Sequence, residues 1–245
     1  MHKKLFFRGL KSKKERKVLL GEKGRFMENL LERILQFFYP NVCGICGKIE
    51  KETICKQCQR QLESQIIAKR KSYIIREGRY FDEQIYLFQY KDMIRMKILS
   101  YKFNNQAYLY QTFAKLILNQ EKICKFISKY EILYPVPLHK IRRRQRGYNQ
   151  SELIGKEISR KLGIPFSSKN LVKIKNSKKQ SSLNKENRKK NVENAYVIKD
   201  GSQVKNKKIL LFDDIYTTGN TVNECSRILR EAGAEQIGIL TIAKD

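Results

Sequence analysis

Acidic side chains are scarce in this chain: 24 Asp and Glu stand against 52 Lys and Arg, a formal charge of +28 over 245 residues. An excess of that size points to a polyanionic partner, whether nucleic acid, an anionic membrane surface or a phosphorylated small molecule. Long apolar runs are missing as well. No stretch approaches the roughly 18 residues that a membrane span needs, and the opening MHKKLFFRGLKSKKERK breaks LFF with charge before a signal-peptide core forms. These absences predict a soluble, cytoplasmic protein with no membrane span. Neither G-x-x-x-x-G-K-[ST] nor G-x-G-x-x-G occurs, which argues against a nucleoside triphosphatase and a dinucleotide site. There is no internal repeat. Hydrophobic residues make up 41% of the chain, enough to exclude full-length disorder and to fill the core of one large domain, or of a domain with a small module attached.

The basic charge is clustered. A compositional bias from AT-rich coding would also enrich lysine, but it would spread the charge evenly. Residues 1–25 hold ten basic and two acidic side chains, 140–146 reads KIRRRQR, and 169–208 holds thirteen basic and three acidic; 209–245 reverses the sign, with three basic and six acidic. The first 25 residues lack apolar periodicity and read as a flexible basic arm. Leu30, Leu31, Ile34, Leu35 and Phe38 then recur at helical spacing and stop at Tyr39-Pro40. A second unit is expected over 26–65, helix plus cysteine cluster, and a third over 66–245. In the third, helical patterns (Ile94, Ile98, Tyr101; Phe113, Leu116, Ile117), an apolar strand at 132–136 and a helix over about 151–162 stopped by Gly163 predict an α/β domain. Aromatic residues interleaved with Lys and Arg at 73–103 permit base stacking, although such a density also suits a core. Arg142 to Arg144 read more simply as a solvated face than as a site.

Cys43, Cys46, Cys55 and Cys58 give two C-x2-C pairs eight residues apart. Each pair presents two sulfurs on one side of a tight knuckle, and two knuckles complete the tetrahedral thiolate shell that Zn²⁺ prefers. Gly47, directly after Cys46, suits the backbone that such a turn adopts. Disulfides fit poorly with a chain expected in a reducing compartment, and a thioredoxin-like redox site needs only one pair. With four thiolates the shell is closed, so the expected metal is structural. Cys124 and Cys225 sit among helix-patterned apolar residues and read as small core residues.

The sharpest pattern lies at 207–240, KKILLFDDIYTTGNTVNECSRILREAGAEQIGIL. Ile209 to Phe212 predict a short strand, followed by Asp213 and Asp214. A loop, Thr217-Thr218-Gly219-Asn220-Thr221, precedes a helix with Val222, Cys225, Leu229 and Ala232 on one face; Gly233 ends it and Ile237 to Ile242 form the next strand. This βαβ unit sets its loop at the carboxyl end of a strand, where open α/β sheets bind ligands. Backbone N–H groups of a small-residue loop at a helix N-terminus cradle phosphate, and paired carboxylates accept hydrogen bonds from vicinal hydroxyls. A ribose 5-phosphate satisfies both at once.

FDDIYTTGNT resembles the 5-phosphoribosyl-1-pyrophosphate (PRPP) motif of type I phosphoribosyltransferases. Together with YPVPLHKIRRRQRGYNQSELI (134–154), the segment with Gln180 to Leu183, Arg188 and Asn191, and the four-cysteine ribbon, it is similar to the ComF family, phosphoribosyltransferase-like proteins associated with bacterial competence. The resemblance covers about 28–245, with Lys173 where the family pattern often has Arg and Tyr196 where it often has Phe. It implies an α/β fold with a type I phosphoribosyltransferase-like parallel sheet flanked by helices, preceded by a small zinc-ribbon module. It further implies Mg²⁺-bound PRPP, attacked at C1′ with loss of pyrophosphate. By resemblance Asp213 and Asp214 hold the ribose hydroxyls, and Thr217, Thr218, Gly219, Asn220 and Thr221 cradle the 5-phosphate. His139 and Arg146 occupy the pyrophosphate-loop position, and 176–190 is a closing loop contributing Gln180 and Arg188 to the catalytic set. The implied partners are PRPP, single-stranded DNA and other competence proteins. Two classes stay open: a transferase with a small-molecule acceptor and no DNA role, and a DNA-handling competence factor that binds PRPP.

Overall fold

The computed structural model describes residues 42–73, 78–176 and 192–245. The 1–25 arm, the helical pattern at 30–38 and the 177–190 stretch with Gln180 and Arg188 lie outside the described residues.

The cysteine segment comes first. Val42 and Ile49 bridge antiparallel across the first knuckle, and helix α1 (Lys56–Glu63) begins directly after Cys55. Strands β1 (Lys69–Ser72) and β2 (Glu83–Gln89) follow, then helices α2 (Asp92–Phe103), α3 (Leu109–Leu118) and α4 (Glu121–Ile127). Next come β3 (Ile132–Pro135), α5 (Lys140–Arg146), α6 (Gln150–Leu162), β4 (Leu171–Lys173) and β5 (Tyr196–Ile198). The chain then runs through β6 (Lys208–Tyr216), α7 (Asn220–Glu231) and β7 (Gln236–Lys244).

Five strands form one sheet in the order β1-β2-β7-β6-β3, parallel throughout except for the antiparallel β1 edge; β4 and β5 make a separate antiparallel pair. Alternation along the central strands sorts the core into two layers. Ile209, Leu211, Ile237 and Ile239 bury against Val222, Cys225 and Leu229 of α7 and Tyr196 of β5. Leu210, Phe212, Leu240 and Ile242 bury on the other side, with Ile94 and Ile98 of α2, Phe113 of α3 and Ile154 and Ile158 of α6. Helices on both faces of a mostly parallel sheet are the expected α/β architecture.

The cysteine segment is packed into that second layer. Cys43, Ile45, Ile54, Cys58 and Leu62 share one buried cluster with Leu109 and Phe113 of α3. Thr112 Oγ1 donates to the Thr53 carbonyl at 3.0 Å, and a Cβ on Gly44 would lie 2.9 Å from Leu109 Cδ2, so glycine permits the approach.

One expectation changes. The strand read as Ile209 to Phe212 extends through the acids to Tyr216, because β7 is equally long and the parallel ladder continues with Asp213 opposite Thr241 and Ile215 opposite Ala243. Of the aromatic stretch, Phe81, Tyr86, Phe88 and Tyr101 are buried, as a core use of that density predicts, and Phe103 is exposed.

Candidate functional site

Asp213 and Asp214 sit near the carboxyl end of β6 and point to opposite faces of the sheet. Asp214 turns to the α2 side, where its Oδ2 pairs with Lys102 Nζ at 2.8 Å. Asp213 turns toward Lys173, Tyr196 and Cys225, whose ionisation it influences. Ser151 Oγ donates to Asp213 Oδ1 at 3.0 Å, and the Asp214 backbone N–H donates to the same oxygen at 2.9 Å. Burial, and then the charge of Asp214, push the Asp213 carboxyl well above the usual carboxylate range, against the pull of Lys102 and these hydrogen bonds.

Beyond the acids the chain turns through Thr217 and Thr218 into α7. Gly219 makes the turn with φ +78°, a left-handed conformation that glycine adopts without Cβ strain, and it occupies the N-cap position of α7, which starts at Asn220, with no side chain of its own to offer as a cap. Asp213, Asp214 and residues 217 to 221 all line one cleft of about 440 Å³. That is the size of a small-ligand site.

Cations line the same cleft: Lys102 from α2, Arg142 and Arg146 from α5 and Lys173 from β4. The Arg146 guanidinium lies 5.2 Å from the Phe103 ring centroid. Burial holds its pKa below the ordinary arginine value, while the nearby Asp214 works in the other direction. Burial, and then repulsion from Arg142, likewise lower the Lys173 ammonium. Asn149 organises this lining: its Oδ1 accepts from the Ser151 N–H to cap α6, and its Nδ2 donates to the Val136 carbonyl, each at 3.1 Å.

The residues singled out from sequence therefore fall in three groups. Asp213, Asp214, Thr217, Thr218, Gly219, Asn220, Thr221 and Arg146 converge on the cleft. His139 is buried outside the cleft lining and caps α5, its Nδ1 accepting from the Ile141 N–H at 3.4 Å. Gln180 and Arg188 lie outside the described residues. Arg142 departs from the solvated face expected of it and lines the cleft, whereas Arg143 pairs with Glu152 at 3.0 Å and Arg144 faces solvent. Lys102, Ser151 and Gln150 escaped the sequence reading. The only available hint was the position of Lys102 one residue after the buried Tyr101.

The four cysteine sulfurs lie within 4.8 Å of one another, with Cys46 and Cys55 at 3.9 Å. A tetrahedral Zn²⁺ with bonds of about 2.3 Å separates its sulfurs by about 3.8 Å, so the cluster fits a metal with slight contraction. The Cys55 and Cys58 N–H groups donate to Cys43 Sγ at 3.4 Å and Cys55 Sγ at 3.5 Å, as thiolates require. Burial raises the Cys43 thiol, but backbone N–H groups of Cys46, Cys55 and Ile45 bring it down to about 6.

The phosphoribosyl transferase domain family matches residues 149–245, the segment carrying α6, the acids and the Thr217–Thr221 loop. Competence protein F of Haemophilus influenzae is 28% identical over 211 residues, covering 80% of this chain and 92% of that protein. The chain is similar to this protein over most of its length. Competence protein ComFC of Streptococcus pneumoniae is also 28% identical, over 89% of this chain and 85% of its own length. DNA utilization protein YhgH of Salmonella typhimurium is 21% identical over 83% of this chain and 90% of its own. The chain thus resembles proteins named for competence and DNA utilization, and it joins a phosphoribosyltransferase-like domain to a cysteine cluster able to hold a metal. Among the described residues no helix is long and apolar enough to cross a membrane.

Proposed function

We propose that the cleft binds Mg²⁺-PRPP and that the protein serves competence by handling single-stranded DNA, with Zn²⁺ in the cysteine cluster as a structural ion. The observation that carries the first part is the convergence, on one cleft, of an acidic pair at a strand end, a helix start entered through Gly219 and four cations. In this reading Asp213 and Asp214 accept hydrogen bonds from the ribose hydroxyls. The N–H groups and hydroxyls of Thr217 to Thr221 hold the 5-phosphate. Arg142, Arg146 and Lys173 balance the pyrophosphate charge. The carboxylates of Asp213 and Asp214 are the oxygen donors the cleft offers to a hard cation. Mg²⁺, when bound, lowers the charge that departing pyrophosphate carries. The chain's own contribution is positioning and a cationic wall facing the leaving group. Gln180 and Arg188 are assigned here to a closing loop.

The DNA part draws its support from relatives named for competence and DNA utilization and from the +28 charge. Mg²⁺-PRPP is expected to raise the melting temperature of the wild type and not that of an Asp213→Ala/Asp214→Ala variant; equal shifts remove the PRPP assignment. Single-stranded DNA affinity is expected to fall steeply with salt, and a flat dependence removes the electrostatic DNA reading. Pyrophosphate release measured with and without single-stranded DNA and a panel of bases and amines separates transferase from ligand-gated binder.

A further inference from the structure

Four cations that no acid balances gather at the β1 end of the sheet, and none of them lines the cleft. β1 reads Lys-Arg-Lys-Ser and is exposed throughout. Its register sets Lys69 opposite Tyr86 and Lys71 opposite Gln84, so both lysines stand on one face, while Arg70 turns to the other and pairs with Glu83. Arg79 comes from the segment before β2, its guanidinium 3.9 Å from the Tyr73 ring centroid and 5.5 Å from that of Phe81. Lys244 comes from the end of β7, its Nζ 5.6 Å from the Tyr86 centroid and 5.1 Å from that of Tyr216. Among the described residues none of the four pairs with a carboxylate, and the exposed Asp245 beside Lys244 is no exception. The four act on one another: burial, and then Lys71, Arg79 and Lys69, hold the Lys244 ammonium below the ordinary lysine value. Lysines on an edge strand discourage its pairing with another sheet. That role does not account for Arg79 and Lys244, which two other segments bring to the same place.

We propose that Lys69, Lys71, Arg79 and Lys244 form a docking surface, outside the cleft, for the phosphodiester backbone of a single strand. Charge complementarity selects the occupant, because a row of phosphates relieves the repulsion among four unpaired cations. Lys69 and Lys71, two residues apart on an extended strand, are separated by about 6.8 Å, close to the spacing of neighbouring phosphates in an extended nucleic-acid strand. Tyr86 and Tyr216 are 3% and 9% exposed beneath Lys244, so these rings hold the cation in place instead of receiving a base. The surface therefore reads backbone charge and not sequence. It borders the cleft through Tyr216, whose ring meets Lys244 and which also belongs to the cleft lining. The inference rests on the single-strand reading above and adds to it a location distinct from the phosphosugar site.

The test is fluorescence anisotropy on the full-length protein across a salt series, with the cleft empty and filled with Mg²⁺-PRPP. The probes are a dT decamer, an abasic decamer, a duplex of the same length, polyglutamate of matching charge and vesicles containing phosphatidylglycerol. The variants are Lys69→Gln/Lys71→Gln and a fourfold variant that adds Arg79→Gln and Lys244→Gln. Lys122→Gln/Lys199→Gln removes the same charge as the first pair from exposed positions elsewhere. At roughly 0.7 per phosphate, the slope of log affinity against log salt is expected to fall by about 1.4 in the pair variant and about 3 in the fourfold variant. The fall is expected for dT and abasic decamers alike, with or without Mg²⁺-PRPP, and not in the control. If the fourfold variant melts below the wild type, the pair variant, changed only on the exposed edge, carries the test alone. A slope unchanged in the pair variant overturns the surface, while strand binding by the wild type keeps the DNA reading; a wild type that binds no strand removes both. An equal fall in the control, a dependence that vanishes once Mg²⁺-PRPP fills the cleft, or one seen for dT and not for the abasic decamer also overturns the proposal. So does a larger loss of duplex, polyglutamate or vesicle binding than of single-strand binding, each of which names a different occupant.

Discussion

Stripping the zinc proposed for the cysteine cluster should unfold far more than the knuckles. Ile45, Ile54 and Leu62 are 6%, 2% and 0% exposed and belong to the layer that also contains Leu109, Phe113 and Leu210. Burying three such side chains contributes about 1.5–3 kcal/mol each, roughly 5–9 kcal/mol together as an upper bound. A whole domain is typically stable by about 5–15 kcal/mol, so without this segment the remainder is marginal. Polar ties add to the coupling, since Lys115 of α3 pairs with Glu52 at 2.5 Å. Zinc removal with a chelator, or Cys46→Ser, is therefore expected to lower the melting temperature by more than about 10 °C, at roughly 2–4 °C per kcal/mol for a chain of this size. Scanning calorimetry should show one transition, with metal release followed colorimetrically. Complete zinc loss with an unchanged melting temperature would refute the reasoning. So would two transitions of which the upper one, still stabilised by cleft ligands, keeps its position.

Other perturbations address the cleft. In Gly219→Ala the new Cβ would lie 2.5 Å from Tyr216 Cζ while φ stays at +78°, so a stability loss of about 2–4 kcal/mol and loss of the Mg²⁺-PRPP thermal shift are expected by calorimetry. Lys102→Met leaves the Asp214 side chain, 8% exposed, without its partner; about 2–4 kcal/mol should be lost in urea unfolding and largely recovered by adding Asp214→Asn, and a double-mutant cycle without coupling would refute the ion pair. Asp213 has its pKa raised by burial and by Asp214, so the folded state binds that proton more tightly than the unfolded chain does. Its contribution to stability is full below the unfolded carboxylate range and is lost as pH rises through the raised value. Asp213→Asn should consequently melt higher than wild type at neutral pH, by a margin that shrinks on acidification toward pH 4; a pH-independent difference counts against this account.

Much of this arrangement was legible because it is local. Residues 209–242 state their strand, turn and helix in a continuous pattern, and the two C-x2-C pairs declare their own spacing. Even there the strand end was set too early, at Phe212, because acids carry no strand signal until a partner strand of equal length holds them in register. The cationic wall was less visible because it is tertiary. Lys102 belongs to no basic cluster and meets Asp214 only because α2 packs against the carboxyl end of β6. Arg142 and Arg143 are adjacent in a run of arginines, yet helical geometry sends one into the cleft and the other to Glu152. His139 stands beside the cleft wall in sequence, and its ring serves the α5 backbone instead.

The fold also divides the positive charge that the sequence presents as a single excess. Arg70, Arg227 and Arg230 are committed to Glu83, Glu224 and Asp82, ion pairs that serve packing. A ligand in the cleft meets Lys102, Arg142, Arg146 and Lys173. If a single strand bound through these four alone, its affinity would fall with log salt at a slope of about 3, taking roughly 0.7 per neutralised phosphate. A steeper slope draws on cations outside the cleft, and it should then persist when the cleft is filled with Mg²⁺-PRPP. A slope of about 3 that disappears under saturating Mg²⁺-PRPP places the strand and the phosphosugar in competition for one wall. The salt dependence of DNA binding, measured with the cleft empty and filled, therefore decides whether the two activities proposed for this chain share a site or merely share a scaffold.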